Sequence, residues 1–397
     1  MNIKMAQTPT AISVKPQAPP RATAAADPRA RLQADQARLT IRIAAVQENY
    51  LTLTEKMAAH QAYVAAVVKA DCYGLGAARL APALWAAGAR VFFVAHLTEA
   101  LDLRQTLPEA AIYIFSGVRR AEIPLLTHYR LIPVLNRLEE IELWLSHAAA
   151  QGHPIPAAIH IDTGMARLGL DAGELRHLKE QAELLKAFSP LLYLSHLANA
   201  ERTAHEGNLV QLATFTAALS GLPPGQRSLA NSSGCFLPRD YAFDLARPGA
   251  ALYGLNPSAE ARNPMLPVVT LSAPILQTRT LEKGETVGYG STWTAQDQAS
   301  IATLSLGYAD GLTRALSNRG QVFIAGIPCP IVGRVSMDLI TIDVSHLRAD
   351  QRLPGTQAEI IGPNQSVDDL ATLMGTIGNE VLTGLGSRLA RSYVAHG

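Results

Sequence analysis

The 397-residue sequence contains very little cysteine: Cys72, Cys235 and Cys329 stand far apart and form no CxxC pair. This argues against a disulfide framework and a thiolate zinc site, leaves no metal centre to be expected, and suits a reducing cytosol. The sequence also lacks an excess of either charge, with 34 Lys and Arg against 33 Asp and Glu and a net charge of +1. Neither a nucleic-acid footprint nor an acidic tail is expected. No apolar run approaches the roughly 18 to 20 residues that a membrane helix needs, and the first stretch lacks the apolar segment of a secretory signal. A soluble, cytoplasmic protein that binds neither nucleic acid nor membrane is expected.

Hydrophobic residues make up 48% of the chain, enough for a large core, and at about 150 residues per domain the length suits two domains or three. Residues 1–36, rich in Pro, Ala and Thr, read as a flexible tail. From about residue 38, short β-branched runs alternate with Ala- and Leu-rich segments charged at helical spacing. The strand candidates are 63–70, 91–96, 111–116, 131–135, 157–163, 191–198, 227–232 and 244–254, with helices such as 99–105, 138–151, 172–186 and 206–220 between them. Eight strands in this alternation predict an α/β fold, a (β/α)8 TIM-type barrel over residues 37–267, with an open doubly wound sheet as the alternative. After residue 268 the pattern turns to β-rich runs, with turn signals at Lys283-Gly284, Ser317 to Gly320 and Ala325-Gly326. A mostly β C-terminal domain, 268–397, is expected, with one helix at 367–374 capped by Ser366.

In such a barrel, polar groups at the carboxyl ends of the strands are the candidates for chemistry. The first strand, AYVAAVVKA, ends at Lys69, whose amine burial would free as a nucleophile, or which snorkels to solvent. HIDTGMARLG places Arg167 past the fifth strand, as a carboxylate clamp or a surface ion pair. SHLANAE places His196 at the sixth mouth, as a site residue or a structural one. ANSSG, with Asn231 and Ser232, suits a phosphate or an ordinary turn. Arg247 precedes Pro248 and Gly249 on the eighth strand. Convergence of these residues on one rim argues for a single site. In the second domain, Tyr308 lies between glycines in GYADG, and GRVSMD spans 333–338.

As a set, AVVKADCYGLG, HIDTGMARLGL, SHLANAE, ANSSG, RPGAALYG, VGYGSTWTA, SLGYADGLTR, GRVSMD and LTGLGSRLAR resemble, in order and approximate spacing, the motifs of the pyridoxal-phosphate-dependent alanine racemases. The likeness runs from about residue 38 to the end. It implies a barrel that binds pyridoxal 5'-phosphate, a first strand at about 37–44 that pairs with the C-terminal domain, and a head-to-tail homodimer with shared active sites. By the same resemblance Lys69 forms the internal aldimine and serves as one catalytic base, with Tyr308 as the opposing base. His196 hydrogen-bonds Arg247, which faces the pyridine nitrogen. Arg167 lies near the cofactor's phenolic oxygen and the substrate carboxylate. Tyr73, Asn231, Ser232, Gly249 and Ala250 contact the cofactor, and Met337 seats the substrate carboxylate. Two positions depart from the family pattern. His160 stands where many members carry a carbamylated lysine, and Asn379 stands where a tyrosine usually lines the substrate pocket and contacts the phosphate.

Inverting Cα of an amino acid requires one base on each face of a planar intermediate, which Lys69 and Tyr308 from different domains can supply. With the resemblance, the expected function is interconversion of L- and D-alanine, supplying D-alanine for peptidoglycan. A broader, serine-accepting racemase is an alternative, because the Asn379 amide would leave room for a β-hydroxyl. A decarboxylase of the same architecture is disfavoured by Arg247, where an acid is expected in that class. A non-catalytic cofactor carrier is disfavoured by the long β domain.

Overall fold

The computed structural model describes residues 36–238 and 241–395, so all but Gln36 of the expected tail lies outside them. The chain enters through a strand, Arg38–Arg42, that belongs to the C-terminal domain. It pairs antiparallel with Val269–Leu281, Leu39 opposite Leu271, and parallel with Ala390–Val394. These strands sit in an eight-stranded sheet that also holds Ala299–Leu304, Gln321–Ile324, Ile327–Pro330, Ile340–Asp343 and Gln357–Ile361. The hairpin between Gln321–Ile324 and Ile327–Pro330 turns at Ala325 and Gly326, both at positive φ as a two-residue I′ turn requires.

The barrel strands are shorter than the periodicity suggests: Tyr63–Val64 and Ala66–Val67, Val91–Val94, Ala111–Ile114, Ile132–Leu135, Ile155–His160, Phe188–Leu194, Gln226–Ser228 and Leu245–Ala246. Seven of them form a continuous parallel sheet. The ring closes through the eighth: Ala65 and Val67 donate to the carbonyls of Ala246 and Pro248 at 2.9 and 3.0 Å, and Asp244 and Arg247 donate to Arg227 and Ala230 at 3.0 and 2.9 Å. The barrel, rather than the open sheet, is the fold.

Alternation along the strands separates two layers of core. Val67, Phe93, Tyr113, Val134, Ala158 and Leu192 fill the barrel, while Ala66, Phe92, Ile112 and Ile159 pack outward against the helices. Full burial of each larger side chain is worth about 1.5–3 kcal/mol. Three expectations need correction. The strand expected to run to residue 70 stops at Val67, because the chain turns left-handed after Lys69. The strand expected over 244–254 is two residues long and is followed by a 3-10 turn, Ala250–Tyr253. The helix expected over 172–186 ends at Glu180 and continues as a 3-10 segment, Ala182–Ala187.

The helix Gly378–Gly384, a second one in a domain expected to hold one, was not anticipated, and neither was Ile43–Ala58, where only a first strand at about 37–44 was expected. The buried Asn49 of the latter accepts the Leu266 N–H at 2.8 Å and donates to the Leu266 carbonyl at 3.0 Å, pinning the segment that leads into the second domain. The helix Val367–Met374 carries the Ser366 cap, with Ser366 Oγ accepting the Asp369 N–H at 3.1 Å. Cys72, Cys235 and Cys329 are all buried and free. Among the described residues no helix is long and apolar enough to cross a membrane.

Candidate active site

At the carboxyl ends of the barrel strands lies a cavity of about 950 Å³. Lys69 enters it from an unusual backbone. Ala70, Asp71, Cys72 and Tyr73 all lie in the left-handed region, with φ of 51, 54, 55 and 57°. Each non-glycine residue so placed costs about 1–2 kcal/mol, so a full left-handed turn persists only where its surroundings hold it. Glu99 supplies much of that hold. One carboxylate oxygen accepts the Ala70 N–H at 2.6 Å, and the other accepts those of Ala95 and His96 at 2.7 and 3.1 Å. Asp71 accepts the Ala77 N–H at 2.6 Å, and the Tyr73 ring packs on Tyr253 with centroids 4.7 Å apart. From the second domain, Leu382 presses so closely that a Cβ on Gly74 would lie 2.8 Å from its carbonyl oxygen.

The turn thus aims both the Lys69 amine and Tyr73 into the cavity. Burial, reinforced by the Arg167 charge and opposed by Glu99, lowers the Lys69 pKa and makes its free amine more available. Burial pushes the Tyr73 hydroxyl up to about 12, so it remains a hydrogen-bond donor at neutral pH.

Arg247 forms the floor. It is 3% exposed, with one terminal nitrogen donating to Ser228 Oγ and the other to the Ser195 carbonyl, and with its guanidinium 6.0 Å from the centre of the Phe93 ring. Burial draws its pKa to about 10, which still leaves it charged at neutral pH. Its Nε–H is buried without a partner, a loss of about 1–3 kcal/mol unless an acceptor completes it. The hydrogen bond expected between His196 and Arg247 is not made, since the terminal nitrogens of Arg247 go to Ser228 and Ser195 and its Nε has no partner; His196 is held neutral, its pKa lowered to about 3 by burial and then by Arg247 and Arg167.

His160 is also neutral, at about 4, through burial and the Arg247 charge. Its Nδ1 lies 2.9 Å from Asn136 Oδ1. The Asn136 amide already donates to the carbonyls of Phe115 and Val134 at 3.0 and 2.9 Å, so its oxygen must accept, which assigns the proton to Nδ1 and leaves Nε2 a bare acceptor. A neutral imidazole therefore stands at this position. Asn136 and Glu99 escaped sequence reasoning, although a polar residue closing the apolar run IPVLN and a Glu three residues after a strand-end His were visible signals.

Ser232 Oγ accepts the N–H groups of Gly249 and Ala251 at 2.9 and 3.1 Å. Gly249 approaches Tyr73 so closely that a Cβ there would lie 2.3 Å from the phenolic oxygen. Asn231 lines the cavity, but its amide is spent on the backbone: it accepts from Gly234 at 2.9 Å and donates to Leu197 at 3.3 Å. Arg167, Ala250 and Asn379 complete the candidates gathered here, the last from the helix Gly378–Gly384. Pyridoxal phosphate fits this set. Lys69 suits its carbonyl carbon, the orphaned Arg247 Nε–H suits the pyridine nitrogen, and the hydroxyls of Ser232 and Tyr73 beside Gly249 suit the phosphate.

Tyr308 and Met337 are not among the residues that line this cavity. Both lie on the second domain and are exposed, by 42% and 52%.

Two family profiles match the chain, the alanine racemase N-terminal domain over residues 41–257 and the alanine racemase C-terminal domain over residues 268–393. An alanine racemase of Brucella canis is 45% identical over 370 residues, which cover 90% of this chain and 93% of that protein. A catabolic alanine racemase of Agrobacterium fabrum is 46% identical over 360 residues, covering 90% and 92%. The crystal structure of alanine racemase from Bartonella henselae with covalently bound pyridoxal phosphate superposes with a TM-score of 0.87 at 41% identity, covering 90% of this chain and 99% of that one. With both domains matched in order and the cofactor cradle in place, the chain belongs to the alanine racemase family.

Proposed function

We propose that this protein interconverts L- and D-alanine in the cytoplasm with pyridoxal 5'-phosphate, through two bases supplied by different subunits of a homodimer, and so supplies D-alanine for wall precursors. The observation that carries this reading is the division of the candidate residues. One cavity gathers Lys69, Arg167, His196 and Arg247, while Tyr308 and Met337 are exposed and do not line it. A single chain therefore offers one base within its cavity and one outside it.

When bound, pyridoxal phosphate supplies a conjugated sink for the electron pair left at Cα. Arg247 would donate to the pyridine nitrogen and leave it without a proton of its own, which weakens the sink and disfavours stray transamination. His196, neutral in its cationic surroundings, adds no charge beside this floor. Arg167 would pair with the substrate carboxylate. Lys69 holds or releases the Cα proton on one face, and Tyr308 of the partner subunit does so on the other. Purified protein given L-alanine should form D-alanine, and given D-alanine should form L-alanine, in a chiral assay run with a panel of other L-amino acids. No interconversion of any of them would overturn the proposal.

A further inference from the structure

Tyr308 lies on a three-residue turn, Tyr308–Asp310, with little packing of its own. The turn closes on itself: Asp310 Oδ2 accepts the Gly307 N–H at 2.9 Å, and the Asp310 N–H reaches the Gly307 carbonyl at 3.1 Å. It is then joined to the loop that carries Met337. The N–H groups of Tyr308 and Ala309 donate to the carbonyls of Ser336 and Met337 at 2.9 and 3.0 Å. A Cβ at Gly307 would lie 2.2 Å from the Met337 oxygen, so only glycine permits the contact.

A third segment ties the two together. Arg388 grips the buried Asp310 with both arms of its fork, Nε to Oδ1 at 3.0 Å and Nη2 to Oδ2 at 2.9 Å, and sends Nη1 to Asp338 Oδ1 at 2.6 Å. Its neighbour Gly386 donates its N–H to the Asp310 carbonyl at 3.1 Å. One guanidinium thus spans the residue two after Tyr308 and the residue next to Met337. A lysine offers no planar fork to replace it.

We infer that Arg388 is a positioning residue for racemisation: it fixes the Tyr308 turn and the Met337 loop as one rigid piece, so that the phenol and the carboxylate seat arrive together. The inference rests on the two-base reading above. In that reaction Cα–H breaks on one face as its proton passes to one base, and Cα–H re-forms on the other face with a proton from the other base. Tyr308 accepts the proton of one enantiomer and delivers the new proton to the other. A displacement of about an ångström costs on the order of 100-fold in such a transfer. Loosening Arg388 should slow the Tyr308 transfer alone, whereas a purely structural loss would slow both transfers through a smaller active fraction.

The test compares wild-type holoenzyme with Arg388→Lys. The expected result is a fall in kcat of about 10- to 100-fold with the cofactor's absorbance band retained. The isotope effects of Cα-deuterated L- and D-alanine should move in opposite directions, rising for the enantiomer whose proton Tyr308 takes. Hydrogen exchange should quicken in peptides spanning 305–312 and 334–340. Isotope effects that move together, or unaltered exchange in those peptides, would overturn the inference. Should Arg388→Lys fold poorly, Asp338→Asn removes one arm only, and it should give a smaller fall with the same divergence; parallel isotope effects there overturn the inference equally. If the wild type itself failed to racemise alanine, the two-base reading would fall instead.

Discussion

The barrel mouth and an exposed turn of the β domain each present one candidate base, and they hold it by opposite means. Lys69 stands just before a left-handed turn fixed by Glu99, in a cavity whose lining also holds Arg167, Arg247 and the neutral His196. Its chemistry is set by burial. Tyr308 stands half-exposed on a short turn held by backbone bonds and the Arg388 fork. Its chemistry is set by placement. On the two-base reading proposed above, the difference means that one site would draw a desolvated group from a preformed pocket and a second group from an exposed turn.

The largest expected effect would confirm the buried half. Lys69→Ala should lower racemisation by at least about 10⁴-fold, the upper end for a single acid–base group, since the residue also anchors the cofactor. The visible absorbance band of the lysine-bound cofactor should vanish, and persistence of the band without added amine would remove Lys69 from its role.

Next, Tyr308→Ala should cost about 10²–10⁴-fold while the band remains. The comparison predicts more: mixing inactive Lys69→Ala and Tyr308→Ala subunits should restore one of the two sites in each heterodimer. No recovery after proven subunit exchange would place both bases on one chain and end the division drawn here.

A smaller effect is expected at Asn379, which lines the barrel cavity although it belongs to the β domain's helix Gly378–Gly384. An amide in place of a bulky phenol would leave room and polarity for a β-hydroxyl. Asn379→Tyr should reduce the serine-to-alanine ratio of kcat/KM by about tenfold, within the 1–3 kcal/mol that a methyl-sized difference carries in a pocket. An unchanged ratio with altered cofactor affinity would assign Asn379 to the phosphate alone.

The smallest effect concerns acid. His160 and His196 have folded pKa values of about 4 and about 3, against an ordinary 6.5. Between those values the unfolded chain binds protons that the folded chain does not, so their contribution to stability is intact above about pH 6.5 and declines as the pH falls towards 4. Thermal melting should show this slope, and His160→Asn, which keeps a partner for Asn136, should flatten it. An unchanged slope would show that His160 titrates normally.

Much of the fold could be read along the chain because each signal was local. The Leu138–Gln151 and Val367–Met374 helices agree with the residues that apolar spacing and caps predict, since periodicity and a Ser366 cap act within a turn or two. Strand ends were less legible. One strand stops at Val67 ahead of the left-handed turn after Lys69, and another at Ala246 ahead of the 3-10 turn Ala250–Tyr253, and no local pattern encodes either stop.

By itself the sequence determined which chemical groups are present, in order: a lysine after an apolar strand, arginines at Arg167 and Arg247, a glycine-flanked Tyr308. Only the tertiary structure decided what each became. Four residues after Lys69 adopt a left-handed turn against their own preference, because Glu99, Tyr253 and Leu382 converge from elsewhere. Arg247 is left with a buried, unpartnered Nε–H because Ser228 and Ser195 occupy its other nitrogens. His160 loses its proton to burial and gains a defined tautomer from Asn136, 24 residues earlier. Local propensity is set by neighbours along the chain, whereas desolvation, charge and hydrogen-bond competition are set by neighbours in space, and those exist only once the barrel has closed.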